Sequence, residues 1–399
     1  MSTLPPHAQS DHPGLTPVIM QPRRILIVSH QFPPQVTGIG NVAAAEAAHL
    51  VASGNEVTVM TTGGDGGPAT MTPEGYRLVR LDAWEGLERR RGIPFPVSGP
   101  SLLSQTRRLV RWADMVHIHD VLYMPCWAAA WSARAAGRPT IITQHVAEVA
   151  HTSLATRVAQ RAVYGTAGSR ILRGASRVTV VNGRVGDFVE GQGVERSRIR
   201  LLPNGVDTDR FRPAGPGERA AVRDRHGLPQ DAVLALFVGR FVPKKGVHRL
   251  LAALGDDYTV VLVGGERPTG FPGDRRAIFL GELGPDEVAD LYRASDVFVL
   301  PSESEGFPLS AQEAMATGIP VVLRHDEGYA PYQLDDVGVR FVDGSPESIR
   351  RELSALAADP QARAAMGEAA LHHARSRFAW REHTARLEAL WDEVLDEAR

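Results

Sequence analysis

Short runs of contiguous branched apolar residues recur along this chain, each closed by a loop and followed by a helical stretch. Parallel sheets covered by helices satisfy that alternation, because strands buried on both faces lose the in-out period of an exposed sheet. Arg24-Ile-Leu-Ile-Val-Ser29 opens the series, an alanine-rich helix is predicted over about Gly40 to Ala52, and Glu56-Val-Thr-Val-Met-Thr61 follows the stop at Ser53-Gly54-Asn55. The pattern continues through Met115 to His119, a helix over Trp127 to Ala136, Thr140 to Thr143 and Val178 to Val181. A second series begins near Arg198, with strands at Val233 to Val238, Tyr258 to Val263, Ala277 to Leu280, Val297 to Leu300 and Pro320 to Leu323. Ala232 to Gly265 repeats the order of Arg24 to Gly63, so the 399 residues divide into two facing Rossmann-like, doubly wound parallel-sheet α/β domains. The expected division is a disordered tail over 1–21, domains over 22–193 and 194–375, and a terminal helix within 376–399 whose Trp380, Leu387, Leu390, Trp391 and Val394 share an apolar face. Closure of the domains is expected to hinge near Gly191 to Arg198.

With 44 Lys and Arg against 46 Asp and Glu, no bulk field favours nucleic acid. Cys126 is the single cysteine, which excludes an internal disulfide and a cysteine-rich zinc site, and fits a reducing cytoplasm. Met1 to Gln21 holds no sustained apolar run of the kind a signal peptide or a spanning helix needs. No His, Cys and Asp spacing suggests a metal site.

Chemistry concentrates where strands end. Val297 to Leu300 runs into a polar loop over Glu303 to Pro308 and then a helix of about Leu309 to Thr317, whose free amides and positive dipole end suit a phosphate. Glu305 before that helix and Glu313 inside it can reach different parts of one elongated ligand, and carboxylates accept sugar hydroxyls well. Val238-Gly-Arg-Phe-Val-Pro-Lys-Lys-Gly246 places Arg240 and Lys245 at another strand end, where two cations would stabilise a leaving diphosphate. Taken singly, an acidic pair or a Lys-Lys-Gly loop reads as solvated surface; the pairing of the two segments makes the functional reading the stronger.

Gly38 to Ala43 matches the Gly-x-Gly-x-x-Ala dinucleotide fingerprint, but the loop from Ser29 to Gly38 is too long for its tight turn, and the next strand ends in Thr61-Thr62 rather than an acidic residue. NAD binding is therefore rejected, while Gly38 and Gly40 still allow a ligand close to the helix backbone. His145 follows a predicted strand and is expected at the rim of the cleft, whereas His117 and His119 read as structural histidines.

These segments resemble glycosyltransferase family 4, of the GT-B fold, over nearly everything after residue 22. Glu305 and Glu313 are similar to the family's Glu, seven residues, Glu signature, and Glu313-Ala-Met-Ala-Thr-Gly-Ile-Pro-Val-Val322 to its continuation. Gly239-Arg240 with Lys245-Gly246 resembles the diphosphate pair, Leu202 to Asp207 the opening of the C-terminal domain, and Thr143-Gln-His145 the segment of the cleft histidine. The resemblance implies that the first domain binds acceptor and the second a nucleotide sugar. It also implies catalytic Arg240, Lys245, Glu305 and His145, with donor contacts from Gly38, Gly40, Gly306, Phe307, Pro308, Leu309, Ser310, Glu313 and Leu283, and a terminal helix crossing back onto the first domain. Pro308 stands where a glycine is common, and Thr37-Gly-Ile-Gly40 lacks the usual adjacent glycine pair.

The expected activity is retaining, metal-independent transfer of a hexose or N-acetylhexosamine from a nucleotide diphosphate sugar, UDP favoured, to a small-molecule hydroxyl, with no cofactor. Asp65, Asp82, Glu85 and Glu148 in the first domain's loops suit a cationic aminocyclitol or another natural product. A lipid acceptor is the less favoured alternative, resting on Arg107, Arg108 and Arg111 of an amphipathic stretch after Arg89 to Arg91. A silent sugar-nucleotide binding protein is the alternative from another class.

Overall fold

The computed structural model describes residues 22–35, 37–63, 67–84, 96–147, 154–271, 273–303, 305–334 and 337–397. The tail expected over 1–21, and Asp65, Glu85, Arg89 to Arg91 and Glu148, lie outside these described residues.

The first sheet contains β1 (Arg24–Ser29), β2 (Glu56–Thr62), β3 (Thr70–Met71) and β4 (Arg77–Leu81), while β5 (Ala83–Trp84) and β6 (Val97–Ser98) pair on their own. It continues with β7 (Met115–His119), β8 (Thr140–Gln144), β9 (Arg177–Val180) and β10 (Ile199–Leu201), in the order β10-β9-β8-β7-β1-β2-β4-β3. Within this sheet, among the described residues, only the β3–β4 edge pair is antiparallel. The second sheet is wholly parallel: β11 (Leu234–Val238), β12 (Thr259–Val263), β13 (Ala277–Phe279), β14 (Val297–Leu300), β15 (Val321–Arg324) and β16 (Val339–Val342), ordered β13-β12-β11-β14-β15-β16. In both sheets the strand order reverses about the first strand, between β1 and β7 and between β11 and β14. Ligands of doubly wound sheets sit at the carboxyl ends of the strands flanking such a switch point.

Helices α1 (Gly38–Ala52), α2 (Ser101–Trp112), α3 (Met124–Ala135), α4 (Leu154–Val163), α5 (Ser169–Gly174) and α6 (Gly183–Gly191) accompany the first sheet. The second has α7 (Glu218–Arg225), α8 (Val247–Ala252), α9 (Pro285–Ala294), α10 (Leu309–Thr317), α11 (Pro346–Ala358) and α12 (Pro360–Arg377). α13 (Trp380–Glu397) returns to the first.

Side chains alternate across a strand, so β1 feeds two cores. Leu26 and Val28 join the cluster under α2 and α3, while Ile25 and Ile27 join Ala43, Ala47 and Leu50 of α1 and Leu387, Leu390, Trp391 and Val394 of α13. The last helix thus seals one face of the first sheet, and Arg177 holds its end through Glu393 at 2.6 Å.

Two expectations about chain passage are corrected. β10 pairs with β9, so the first sheet extends to Leu201, past the boundary drawn at 193, and Gly191 to Arg198 is an internal turn of that half rather than a hinge. The chain instead crosses after Leu201 and returns at Phe378 to Trp380. There the two passages bridge each other, Val206 N donating to Phe378 O at 2.7 Å and Trp380 N to Val206 O at 3.2 Å.

Candidate active site

The second half supplies a paired cation and carboxylate. After β11, a tight turn over Pro243–Lys245 leads into α8 through Gly246, whose φ is 75° and whose Cβ, had it one, would sit 2.3 Å from Pro301 O. Only glycine permits this approach, which lays the turn against the end of β14, where Glu303 N donates to Lys244 O at 2.8 Å. Lys245 Nζ is thereby 2.8 Å from Glu305 Oε1, with the side chains 17% and 13% exposed. Arg240 lies exposed at the end of β11 and, among the described residues, forms no ion pair. The structure therefore joins Lys245 to Glu305 and leaves the Arg240 guanidinium outside that pair.

At the start of α10, Leu309 and Ser310 present backbone N–H groups that precede the helix's own ladder. Two neighbours expected to bind donor contribute less. Pro308 has no N–H and occupies the N-cap, and the Phe307 side chain is buried in an aromatic cluster, stacked on Tyr332 with ring centroids 4.5 Å apart. Glu313, about one turn further in, accepts from Tyr292 Oη at 2.9 Å. Burial pushes its carboxyl up to about 7 against the opposing Tyr292 hydrogen bond, although part of the residue still faces solvent. Leu283 is half-buried against the second core in the loop before α9.

In the first half, Gly38 is open and exposed at the start of α1, whereas Gly40 is buried, with its Cα turned onto Gln31: an added Cβ would lie 3.0 Å from the Gln31 carbonyl oxygen. Of the two, only Gly38 can meet a ligand closely. His145 follows β8 directly and is 5% exposed, with Nε2 2.9 Å from His119 Nδ1. It stands at the end of the strand as expected but is more deeply set than a rim residue.

Sequence reasoning missed Asp120, His30 and Asn182. Asp120 ends β7 at a φ of 61°, uncommon outside glycine, and accepts from Gln144 Nε2 at 2.6 Å; burial pushes its carboxyl up to about 7. His30 ends β1, stacks on Tyr123 at 3.8 Å, and is lowered by burial to about 4. Asn182 caps α6 by accepting from Val185 N at 2.8 Å and donates Nδ2 to Gly306 O at 2.6 Å and Glu305 O at 3.0 Å. An Asn between a strand and a helix was a legible N-cap, but its bond to the opposite half was not. Arg184 and Asp326, 2.9 Å apart, and Tyr332 Oη donating to Val181 O fasten the same seam. A Cβ on Gly306 would lie 3.3 Å from His145 O, so the Glu305 loop and His145 face each other across a closed junction.

Linear spacing suggested no metal site, and folding brings together a grouping that it does not display. Glu46, His117 and His119, all buried, converge so that one ligand atom from each lies within 4.8 Å of the others. They come from α1 and β7, a grouping that no linear spacing displays.

Two doubly wound sheets, one with a lysine–carboxylate pair and a helix start at its switch point and the other with a histidine at its strand ends, have the layout of the GT-B fold of glycosyltransferases. The family models described as Glycosyltransferase Family 4 and Glycosyl transferases group 1 match residues 36–210 and 218–373, and the chain belongs to glycosyltransferase family 4. It is 32% identical to the D-inositol 3-phosphate glycosyltransferase of Xylanimonas cellulosilytica, over 92% of this chain and 95% of that relative. The Streptomyces bingchenggensis protein of the same name is 31% identical, over 96% and 92%. Among solved structures, sucrose-phosphate synthase from Thermosynechococcus elongatus superposes with a TM-score of 0.69 at 21% identity, covering 94% of this chain and all of that one. Anabaena HepE in complex with UDP superposes with 0.71 at 17% identity, over 93% and 100%. Among the described residues no helix is long and apolar enough to cross a membrane.

Proposed function

We propose that this transferase moves a hexose or N-acetylhexosamine from a nucleoside diphosphate sugar, UDP first among the bases, to a hydroxyl of a small polyol, with retained anomeric configuration and no metal ion. The observation that carries the reading is the Lys245–Glu305 pair beside the free amides of Leu309 and Ser310. A diphosphate at that helix start meets N–H donors and the positive end of the dipole, and Lys245 with the exposed Arg240 supplies the charge that a leaving phosphate needs as its bond to the sugar breaks. Glu305 accepts sugar hydroxyls, Glu313 the ribose hydroxyls, and His145 bounds the sugar from the facing half. Retention follows from attack on the face the diphosphate leaves, with a phosphate oxygen taking the acceptor's proton. The relatives named D-inositol 3-phosphate glycosyltransferase favour a cyclitol acceptor. Asp82, which suited a cationic aminocyclitol, is already engaged by Ser101 Oγ at 2.7 Å, so the proposal keeps the cyclitol without requiring a positive charge.

Calorimetry without metal against UDP, GDP, ADP and NAD tests the donor site: one diphosphate binds, and Glu313→Ala and Lys245→Ala each weaken it. Binding of NAD alone would sink the reading. Turnover is expected to survive chelation; activity abolished by a chelator and restored by magnesium overturns the metal-independent mechanism.

Glu313 adds a signed pH dependence. Its carboxyl is raised to about 7 when free, and ribose hydroxyls donate to its ionised form, so binding releases a proton near pH 6 and none near pH 8.5. Affinity therefore rises with pH across that window, and titrations in buffers of different ionisation enthalpy count the proton. Glu313→Gln abolishes the release; an unchanged release in that variant assigns the proton elsewhere.

A further inference from the structure

Behind His145 lies a group of buried polar atoms that the proposed chemistry does not use. Side chains two apart on a strand share a face, so β7 turns Met115, His117 and His119 together toward α1 and α13. Glu46 of α1 enters that otherwise apolar face, and His383 of α13 meets it there. None of the four polar residues is more than 3% exposed.

The atoms of Glu46, His117 and His119 fall into two sets. The outer ones are engaged: His117 Nε2 lies 2.7 Å from Thr143 Oγ1, His119 Nδ1 2.9 Å from His145 Nε2, and Glu46 Oε2 3.2 Å from His383 Nε2. The inner ones, His117 Nδ1, His119 Nε2 and Glu46 Oε1, are buried and, among the described residues, have no hydrogen-bond partner. Yet these three atoms converge within 4.8 Å of one another, Oε1 standing 2.7 Å from Nδ1 and 3.4 Å from Nε2. A pair as close as 2.7 Å fails to hydrogen-bond only when it is misdirected, so the His117 ring nitrogen aims beside Oε1 rather than at it. Convergence without mutual hydrogen bonds is the arrangement of atoms that share an ion. Atoms 2.0–2.1 Å from one ion stand about 2.9 Å apart at a right angle and about 3.3 Å apart at a tetrahedral one, and the two separations at Oε1 bracket those values. The outer contacts are of the kind that orient ligating imidazoles and carboxylates around a metal.

We propose that Glu46 Oε1, His117 Nδ1 and His119 Nε2 bind one divalent transition-metal ion, zinc first among them, as a structural ion that joins α1 to β7 beneath α13. Two imidazole nitrogens among three ligand atoms select zinc and its neighbours over magnesium and calcium, which take oxygen. The ion is covered by α13, with the Trp391 ring edge-on to His117 at 6.4 Å, so its part is in folding and not in the transfer. Such an ion exchanges only when the first half opens. A chelator added to the folded enzyme leaves it in place, and the site stands whether or not the chain transfers a sugar.

The competing use of the same atoms is a carboxylate–imidazole cluster with no ion. The full chain, prepared without a histidine tag from zinc-supplemented growth, is analysed for metal. A portion stripped by chelator in mild denaturant is then titrated with zinc and with cobalt, and followed by X-ray absorption and scanning calorimetry. The expected result is one ion per chain, held by imidazole nitrogen and carboxylate oxygen at about 2.0–2.1 Å. The transition of the first half rises by about 5–16 °C when free zinc stands at 100–1,000 times its Kd. Glu46→Gln and His119→Asn lose the ion, whereas His372→Asn, exposed on α12, keeps it. Should the first two variants not fold, the absorption shell of the wild type decides. No uptake by the wild type, an unmoved transition, a shell of oxygen alone, or an ion retained in folded Glu46→Gln and His119→Asn overturns the proposal.

Discussion

Lys245→Ala lowers kcat by about 10²–10³-fold, the loss seen when one preorganised group is removed from a developing negative charge. Lys245 Nζ is 2.8 Å from Glu305 Oε1, and both side chains are largely withdrawn from water. Deleting the ammonium therefore does two things. It takes away the charge that stabilises the departing diphosphate, and it leaves the Glu305 carboxylate beside that diphosphate without its counter-ion. Lys245→Arg is a poor rescue, because the turn over Pro243–Lys245 is pinned to Pro301 through Gly246 and a wider planar guanidinium cannot take the place of a compact point charge. Steady-state kinetics with the sugar nucleotide selected by calorimetry, beside unchanged thermal unfolding, provides the check. A kcat within about fivefold of wild type, about 1 kcal/mol of barrier, rules out the leaving-group role.

Trp391→Ala produces the largest loss of stability, about 3–5 kcal/mol. The side chain is fully buried in the cluster that includes Ile25, Ile27 and Leu50, and its ring stands edge-on to His117 at 6.4 Å. Truncation opens a cavity between α13 and the first sheet that rigid strands cannot collapse to fill. The transition of the first half then falls by about 6–20 °C in scanning calorimetry. Trp131, 52% exposed on α3, supplies the contrast: Trp131→Ala leaves that transition in place. Equal shifts in the two variants would mean that α13 does not hold the first half together.

The architecture was legible because buried parallel strands write themselves as contiguous apolar runs. β1, β2, β11, β12 and β14 were readable for that reason, whereas β4, β10 and β16 were not: Arg77-Leu-Val-Arg-Leu81, Ile199-Arg-Leu201 and Val339-Arg-Phe-Val342 carry arginines that sheet margins tolerate. The loss of β10 displaced the boundary between the halves. Lys245, Glu305 and Glu313 were likewise readable, since each belongs to one local strand, loop and helix. Glu46, His117, His119 and His383 were not, because they meet only after α1, β7 and α13 have packed. Asp120 was hidden by its type, as nothing in an Asp after a strand announces a left-handed backbone.

The return of α13 to the first sheet constrains how the chain is made. A ribosome that has finished the first half releases a sheet with Ile25, Ile27 and Val59 on a face that α1 only partly covers. That strip waits through synthesis of the entire second half, until Leu387, Trp391 and Val394 clear the exit tunnel. A message broken just ahead of the codon for Trp380 would yield a chain that keeps Lys245, Glu305 and Glu313 yet carries an uncovered apolar seam, and its fate would be aggregation or capture by a chaperone.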